Sequence, residues 1–316
     1  MVDDLNFVLG AEAGESNYER PRVAVLDTGI RPDQADNFGI SDSRYQDFTV
    51  PPGVARSMRD DDGHGTSIVD LIYSICDPAD VFVARVWDKG KTVAAAKTIE
   101  SIIKALKWAK EHNVDIICMA FGFDNANPGL REALKEALLS ANVLLFAAAS
   151  NDMNRSGVVY PARWDDLVFC MFSTNGGAKN SRGINPTGLG HDNFAILGED
   201  VRVLSDGPDD TYEISSGTSY STAIACGLAA RLLDFSRQKH VDGTRYRGLS
   251  HDLKEKVNME RVLRSISEKD EEYHCIAPWK LLSERFRGQA GDLTDEDLEQ
   301  ARQDVFRRIA GCLGRF

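Results

Sequence analysis

The sequence predicts an α/β fold in which a central, mostly parallel sheet carries helices on both faces. Two observations predict this fold. Short segments that are nearly continuous in apolar residues recur from residue 22 onward, and segments with apolar residues at helical spacing separate them. Strands without polar alternation are buried on both faces, and their alternation with helices is typical of a parallel sheet. A chain of 316 residues is long enough to form one large domain of this kind.

The first half of the pattern follows a polar segment. Residues 1–19 are polar and rich in Glu and Gly, and we expect a loose arm there. The next elements alternate between strand and helix. They are predicted as a strand at 22–26 that ends at Asp27, a helix from about Gly65 to Ile72, a strand at 81–86, a helix at 93–111 and a strand at 114–119.

The second half repeats the alternation. Its predicted elements are a helix at 128–140 with Pro128 near its start, strands at 143–148 and 167–172, a short strand at 212–215 and a helix at 218–233. Residues 236–251 are polar and predict a loop. A short amphipathic helix is predicted at 257–266, and residues 274–282 form an apolar segment that returns to the body of the protein.

The C-terminal segment has the signature of a capped amphipathic helix. Thr294 and Asp297 fit a helix start, and apolar residues follow at helical spacing. We predict that this helix packs on the domain; the functional alternative is a helix that binds a protein partner or links to a further domain. The chain therefore divides into an arm at 1–19, one domain at 20–287 and a C-terminal amphipathic helix at 288–316.

Charge and composition exclude several classes of partner. The chain has 37 basic and 49 acidic residues, for a formal charge of −12. This balance argues against nucleic acid and anionic membranes as main partners. The sequence lacks an apolar run long enough to cross a bilayer, and its first residues lack the basic and apolar regions of a secretory signal.

The six cysteines favour a reducing compartment. Most of them lie within apolar runs, and none has the spacing of a CxxC motif or a Cys/His metal site. Buried free thiols are favoured over disulfides in an intracellular chain. We therefore expect a cytoplasmic location.

Three short motifs carry candidate catalytic side chains. In chain order they are Asp27-Thr28-Gly29, Gly63-His64-Gly65-Thr66 and Gly217-Thr218-Ser219. Asp27 ends a predicted strand, and His64 and Ser219 each open a predicted helix. All three therefore fall at the carboxyl edge of the sheet, where functional groups gather in open parallel sheets. An imidazole that takes a serine proton and an acid that orients the imidazole are the parts of an activated nucleophile.

The order acid, base, serine resembles that of the subtilases, the subtilisin-like serine proteases of the peptidase S8 family, and the resemblance extends from about residue 20 to residue 285. It implies a subtilase catalytic domain at 20–287 that acts as a serine endopeptidase through an acyl-enzyme on Ser219. Asp27 and His64 would complete the triad, and Asn151 would form the oxyanion hole with the main-chain N–H of Ser219. An α/β-hydrolase esterase is disfavoured, because its triad order differs and the Gly-x-Ser-x-Gly motif is absent at Ser219.

The resemblance also implies a groove that binds polypeptide substrate as an added strand. The residues implied to line it are Ala120, Phe121 and Gly122, with Ala148, Ala149 and Ser150 opposite and Val159 at the base of the primary pocket. We expect the pocket to prefer apolar side chains of medium size, because Val159 and Phe121 add bulk. Asp152, expected at the rim of the pocket, leaves a preference for basic side chains as the alternative.

No metal and no cofactor is assigned. The run Asp60-Asp61-Asp62 lacks the spacing of a dedicated calcium loop, and we predict a solvated loop beside His64. Few residues precede the first predicted strand. In this respect the sequence resembles intracellular subtilases rather than secreted subtilases, which have long prosegments. Subtilase domains of large fungal proteins are a looser resemblance.

The chain departs from the common family pattern at three positions. Ser150 replaces a Gly, Ala223 replaces a Pro, and Ser221 stands where Ala is usual. None of these departures removes a catalytic group. The alternative to an active protease is a catalytically silent peptide-binding or signalling module with the same fold.

Overall fold

The alternating pattern folds into the predicted parallel sheet. The structure is a computed structural model, and it describes residues 2–11, 18–51, 57–88, 96–151, 157–190, 192–205, 211–242, 248–289 and 292–315. The strands within these ranges are β1 (Arg22–Asp27), β2 (Tyr45–Asp47), β3 (Asp80–Arg85), β4 (Ile116–Met119), β5 (Leu144–Ala148), β6 (Phe169–Thr174), β7 (Asn193–Leu197), β8 (Val201–Leu204), β9 (Tyr212–Ser215), β10 (Ser267–Asp270) and β11 (Tyr273–Ile276).

The main sheet has the strand order β10-β11-β7-β6-β5-β4-β1-β3-β2. Its neighbouring strands run parallel except for β10 and β11, which form an antiparallel pair at one edge. β1 lies between β3 and β4, so later strands of the chain are placed on both sides of β1. A crevice opens at the carboxyl ends of strands where the order reverses in this way. Asp27, the last residue of β1, lies at that point.

Helices cover both faces of the sheet. They are α1 (Val2–Leu9), α2 (Pro32–Asn37), α3 (His64–Ile75), α4 (Ala96–Glu111), α5 (Pro128–Ala141), α6 (Thr218–Arg237), α7 (Lys239–Asp242), α8 (Leu249–Leu253), α9 (Lys256–Ser265) and α10 (Asp295–Cys312). Successive β1 side chains belong to two separate cores. Val23 and Val25 pack with α1, α3, α6, α9 and α10, whereas Ala24 and Leu26 pack with α4 and α5. This two-sided burial explains why the strand segments are apolar throughout.

A two-stranded ribbon leads into the segment that carries Ser219. The predicted strand at 212–215 is β9, and it pairs antiparallel with β8 rather than joining the main sheet. The residues of β9 are exposed except for the half-buried Ser215. The apolar side chains of Tyr212 and Ile214 are therefore at the surface.

The prediction of a loose N-terminal arm is wrong for residues 2–9. These residues form α1, and Leu5, Val8 and Leu9 on one side of it are almost completely buried. Arg302 of α10 donates from Nε to the carbonyl of Val8 at 3.0 Å, and Gln238 donates to the carbonyl of Leu9 at 2.7 Å. Burial of its apolar side and satisfaction of its last carbonyls hold this short helix in place. Residues 12–17 of the predicted arm lie outside the described residues.

Two further boundaries differ from those predicted. The expected loop at 236–251 contains the end of α6, the short helix α7 and the start of the short helix α8, in which Leu249 and Leu253 are buried. The helix predicted from residue 93 is described only from Ala96, since residues 89–95 lie outside the described ranges. The predicted amphipathic helix near residues 257–266 is confirmed as α9.

The C-terminal helix is confirmed with its predicted cap. Thr294 accepts from the Asp297 main chain, and the Asp297 carboxylate accepts in return from the Thr294 main chain. The apolar side of α10, with Val305 and Ile309 fully buried, packs on α9 and α1. That side of the helix is therefore used within the chain, and a partner or further domain bound through α10 stays a prediction. The division at residues 19 and 287 stays a prediction as well.

The six cysteines are free thiols, as predicted. Five are buried, and Cys312 is half-buried. Within the described ranges, none of the helices combines the length and the apolar character that a membrane crossing requires.

Candidate active site

Asp27 and His64 form a hydrogen-bonded pair at the carboxyl edge of the sheet. Asp27 ends β1 and is fully buried, and His64 is the first residue of α3 with a quarter of its side chain exposed. His64 Nδ1 lies 2.8 Å from Asp27 Oδ1. The same carboxylate oxygen accepts the main-chain N–H of Thr28 at 2.8 Å. The acid and the base predicted from the sequence are therefore in contact.

The glycine after His64 lets α3 begin against the Asp27 turn. A Cβ atom at Gly65 would overlap the carbonyl oxygen of Gly29 and would lie 3.2 Å from Asp27 Cβ. The side chain of Thr28 accepts the main-chain N–H of Gly65 at 2.9 Å. Any side chain at position 65 would push the helix, and with it the imidazole, away from the carboxylate.

The acidic run before His64 does more than form the predicted solvated loop. Asp61 is exposed, but the Asp60 carboxylate accepts the main-chain N–H groups of Gly63 and Thr66, each at 2.9 Å. Burial alone would raise the pKa of Asp60, but these bonds and that of the Thr66 hydroxyl lower it below its usual value. Asp60 therefore caps α3 as an ionised group. Within the described ranges, no three His, Cys, Asp or Glu side chains are grouped so that they could hold a metal ion.

The imidazole of His64 lies in a strongly negative environment. Its burial favours the neutral ring, but the Asp27 carboxylate outweighs this through charge and hydrogen bonding. Asp62 and Asp60 add further negative charge. The three carboxylates together, with Asp27 contributing most, raise the pKa of His64 to about 9.

Ser219 is the second residue of α6, and its side chain is half-buried. Its hydroxyl donates to the main-chain oxygen of Ala120 at 2.8 Å rather than to the His64 ring. The ring of Tyr220, the next residue, lies 6.4 Å from the His64 ring, measured between centroids. Ser219 therefore sits at the positive end of α6, with His64 near the following residue.

Asn151 is bound to the residue before Ser219. Its Oδ1 accepts the main-chain N–H of Thr218 at 2.7 Å and the Thr218 hydroxyl at 3.0 Å. With Oδ1 engaged in this way, the donor Nδ2 is the group that the side chain can offer to a ligand.

Gly217 packs closely against the Asn151 amide. Its backbone is extended, with a φ of 166°, which any residue can adopt. A Cβ atom at this position would lie 3.1 Å from Asn151 Nδ2. Close approach of the Asn151 amide therefore accounts for this glycine.

The residues predicted to line the substrate groove lie on neighbouring strands. Ala120, Phe121 and Gly122 follow β4, Ala148 ends β5, and Ala149 and Ser150 follow it. Ala149 is fully buried, and Phe121 is 6% exposed, with its ring packed edge-on against Trp87 at a centroid distance of 5.0 Å. The bulk of Phe121 is therefore directed into the core.

Val159 connects the two predicted walls of the primary pocket. Its main-chain N–H donates to the carbonyl of Ala149 at 2.9 Å, and the next residue, Tyr160, pairs with Phe123 in both directions. A Cβ atom at Gly122 would overlap Val159 Cγ2. The half-buried Val159 side chain therefore fills the space above Gly122. Asp152, predicted at the rim, lies outside the described residues.

Sequence reasoning missed three residues that organise this edge. Thr28 and Thr218 lie inside the motifs, but the motifs do not indicate that Thr28 binds the Gly65 N–H and that Thr218 binds Asn151. Arg85 is fully buried at the end of β3, and its side chain donates to the carbonyl of Thr28. A lone charged residue inside the apolar run at 81–86 was the signal that could have indicated it.

The profile of the Subtilase family matches residues 19–249 of the chain. This match covers well over half of the sequence. The chain belongs to the subtilase family. Membership of this family supports a serine-type peptidase.

Individual relatives are distant. The chain is 27% identical over 276 residues to "Subtilisin-like protease het-Q2" of Podospora anserina, covering 83% of this chain and 75% of that protein. It is 25% identical over 232 residues to "Minor extracellular protease Epr" of Bacillus subtilis (strain 168), of which it spans 32%. Among solved structures it is similar to "Prenylagaramide maturation protease PagA", with a TM-score of 0.63 and 19% identity, covering 86% of this chain and 94% of that one. At 19% identity, this structural similarity shows a shared fold and nothing more.

Proposed function

We propose that this subtilase is a serine endopeptidase that hydrolyses peptide bonds through an acyl-enzyme on Ser219. The observation that carries the proposal is the 2.8 Å hydrogen bond between His64 Nδ1 and Asp27 Oδ1. It fixes the ring so that Nε2 is the nitrogen available to take a proton. Family membership supports the assignment of Ser219 as its partner.

In the proposed reaction, the Ser219 hydroxyl first leaves the carbonyl of Ala120 and turns toward His64. His64 Nε2 takes the hydroxyl proton while Oγ attacks the substrate carbonyl carbon. The proton then goes to the leaving amine, the peptide C–N bond breaks, and water hydrolyses the acyl-enzyme by the same steps. Asp27 stays ionised and stabilises the imidazolium that forms in between.

The negative charge on the substrate oxygen is proposed to be stabilised by two donors. One is the main-chain N–H of Ser219 near the start of α6, and the other is Nδ2 of Asn151. The bonds from Thr218 to Asn151 Oδ1 support this role, because they hold the amide before substrate arrives.

The substrate is proposed to be a polypeptide that adds a strand beside residues 120–122. The primary pocket is proposed to prefer apolar side chains of medium size, because Val159 takes up space in it. A cytoplasmic setting, without nucleic acid or membrane as a partner, belongs to the same proposal.

Labelling with a fluorophosphonate tests the proposal directly. The wild-type protein should be labelled at Ser219, and the Ser219→Ala variant should not. Ser216→Ala is a matched control, because it removes an exposed serine hydroxyl three residues away. Absence of labelling in both wild type and control, with intact folding, would contradict an activated serine and favour the silent binding module.

A further inference from the structure

Arg85 is a fully buried arginine beside the candidate catalytic pair. It ends β3 and is the register partner of Asp27 on the neighbouring strand β1. A buried guanidinium is stable only when its charge and its N–H groups are matched by partners. The acceptors around Arg85 come from four parts of the chain, at residues 28, 47–49, 61 and 88.

The first segment carries Asp27. Arg85 Nε donates to the carbonyl of Thr28 at 3.0 Å. Thr28 in turn donates its main-chain N–H to Asp27 Oδ1, and its hydroxyl accepts the N–H of Gly65. The orientation of Thr28 therefore determines both the position of the carboxylate and the start of the His64 helix.

The second segment is the loop before His64. Arg85 Nη2 donates to Asp61 Oδ2 at 3.0 Å, although the Asp61 side chain is 54% exposed. Asp61 follows Asp60, whose carboxylate caps α3. One guanidinium therefore joins the turn that carries the acid to the loop that precedes the base.

The remaining acceptors fix the guanidinium itself. Nη1 donates to Asp47 Oδ2 at 3.0 Å and to the Thr49 hydroxyl at 2.9 Å, and Nη2 also pairs with Asp88. Four hydrogen bonds and one ion pair thus surround the guanidinium. A lysine has the same charge but cannot span these positions, because its ammonium is a single point.

We propose that Arg85 is a positioning residue that holds the Asp27 turn and the His64 loop at the separation that the hydrogen bond between Asp27 and His64 requires. The kinetic consequence rests on the proposed function, but the geometric consequence does not. Loosening the clamp lengthens the bond between His64 and Asp27, and the ring then loses the interaction that favours its protonated form.

The Arg85→Lys variant tests this role without changing the charge. NMR titration should give a lower pKa for His64 in this variant than in the wild type, where the Asp27 carboxylate raises it to about 9. With a peptide substrate, kcat should fall about ten- to hundredfold, because misplacing a catalytic group by about 1 Å has effects of this size. KM should change less than about threefold, because no substrate contact is removed.

Arg237→Lys is a matched control at the opposite edge of the sheet. Arg237 forms a two-bond fork with Asp115, at 2.9 and 2.7 Å, and its side chain is 11% exposed. Both variants lose a buried fork and should lose thermal stability. Only Arg85→Lys should shift the His64 titration and kcat; a shift in neither would overturn the proposal.

A second variant applies if Arg85→Lys does not fold. Asp61→Asn changes an exposed side chain and weakens the link between Arg85 and the His64 loop. It should lower kcat about three- to tenfold, whereas Asp166→Asn, at a similarly exposed ion pair with Arg131, should not. Equal kcat in Asp61→Asn and wild type would overturn the proposal. If the wild type has no hydrolytic activity, the proposed function fails, and the titration of His64 still decides the role of Arg85: its pKa should be lowered in Arg85→Lys but not in Arg237→Lys, and in Asp61→Asn but not in Asp166→Asn.

Discussion

Asp27 holds His64 through a single carboxylate oxygen. Oδ1 lies 2.8 Å from His64 Nδ1, while Oδ2 is buried and lacks a hydrogen-bond partner among the described residues. A carboxylate with so little competing solvation acts strongly on the ring beside it. The consequence is a base that stays protonated well above neutral pH.

The pH profile of activity should therefore have a limb that rises with pH and ends near pH 9. Only the neutral imidazole can take the Ser219 proton, and the pKa of His64 is raised to about 9. Below that pH, the rate of fluorophosphonate labelling should rise about tenfold per pH unit, and it should level off above it. Asp62→Asn should move the limb to lower pH, because the Asp62 carboxylate contributes to the raised pKa.

The control for this pH profile is Asp42→Asn, which removes an exposed carboxylate from the short 3-10 helix before β2. It should leave the limb where it is. A wild-type limb near pH 6.5, the ordinary value for histidine, would show that Asp27 does not control the ring.

Thr218 should contribute to turnover through Asn151. Thr218→Val removes the 3.0 Å bond from the hydroxyl and leaves the 2.7 Å bond from the main chain. We expect a fall in kcat of about tenfold, against about 10²–10³-fold for Asn151→Ala, with little change in KM. Steady-state kinetics on one peptide measures both.

Thr222→Val is the comparison for Thr218→Val. The Thr222 hydroxyl donates to the carbonyl of Thr218 within the same helix, so its loss tests the helix without touching Asn151. Equal kcat values for the two threonine variants would mean that the Thr218 hydroxyl does not orient the amide.

Val159 should limit the size of the residue accepted in the primary pocket. Val159→Gly opens the space above Gly122 that the valine side chain fills. Cleavage after aromatic residues should rise about 10- to 100-fold relative to cleavage after medium apolar residues. Val159→Ala should give an intermediate ratio in the same peptide-library digest, and an unchanged ratio in both variants would contradict this role.

The elements that the sequence predicts well are those whose signal is local. β1 and β5 are continuous apolar segments, and the motifs that contain His64 and Ser219 mark the starts of α3 and α6. β2 and β10 were missed because they are short and mostly polar, and their register comes from the neighbouring strand. The same local signal located Asp27, His64 and Ser219 but did not indicate the side chains that position them.

Supporting interactions depend on distant parts of the chain. Arg85 meets carboxylates 24 and 38 residues away, and Arg302 meets the carbonyl of Val8 across 294 residues. Spacing within a motif contains no information about such partners. For that reason α1 was predicted as a loose arm although its apolar side is buried.

Arg302 should stabilise the N-terminal helix. It donates to the carbonyls of Val8 and Gly10, at 3.0 and 2.8 Å, and is 5% exposed. Arg302→Met keeps most of the apolar stem and should lower the free energy of unfolding by about 2 kcal/mol, since hydrogen bonds from a charged donor are stronger than average. Urea denaturation measures this loss.

Arg308→Met is the matched control on the same helix, because Arg308 is exposed. It should change stability by less than about 0.5 kcal/mol. Limited proteolysis should release the N-terminal segment faster in Arg302→Met only. Equal protection of that segment in both variants would contradict the role of Arg302.

Ser221 should be replaceable by alanine with a gain in stability. Its side chain is fully buried two residues after Ser219, and its hydroxyl has no hydrogen-bond partner among the described residues. An unpaired buried hydroxyl costs about 1–3 kcal/mol. Thermal unfolding should therefore show Ser221→Ala to be more stable than the wild type by about 1 kcal/mol, with unchanged fluorophosphonate labelling.

Ser236→Ala separates this effect from the general preference of helices for alanine. Ser236 is also buried in α6, but its hydroxyl donates to the carbonyl of Leu233 at 2.7 Å. Alanine gains the same helix propensity at both positions, so the difference between the two variants reports the state of the hydroxyl. Stabilisation should be greater for Ser221→Ala, because only that substitution removes an unpaired group. Equal effects at the two positions would mean that the Ser221 hydroxyl is satisfied in solution.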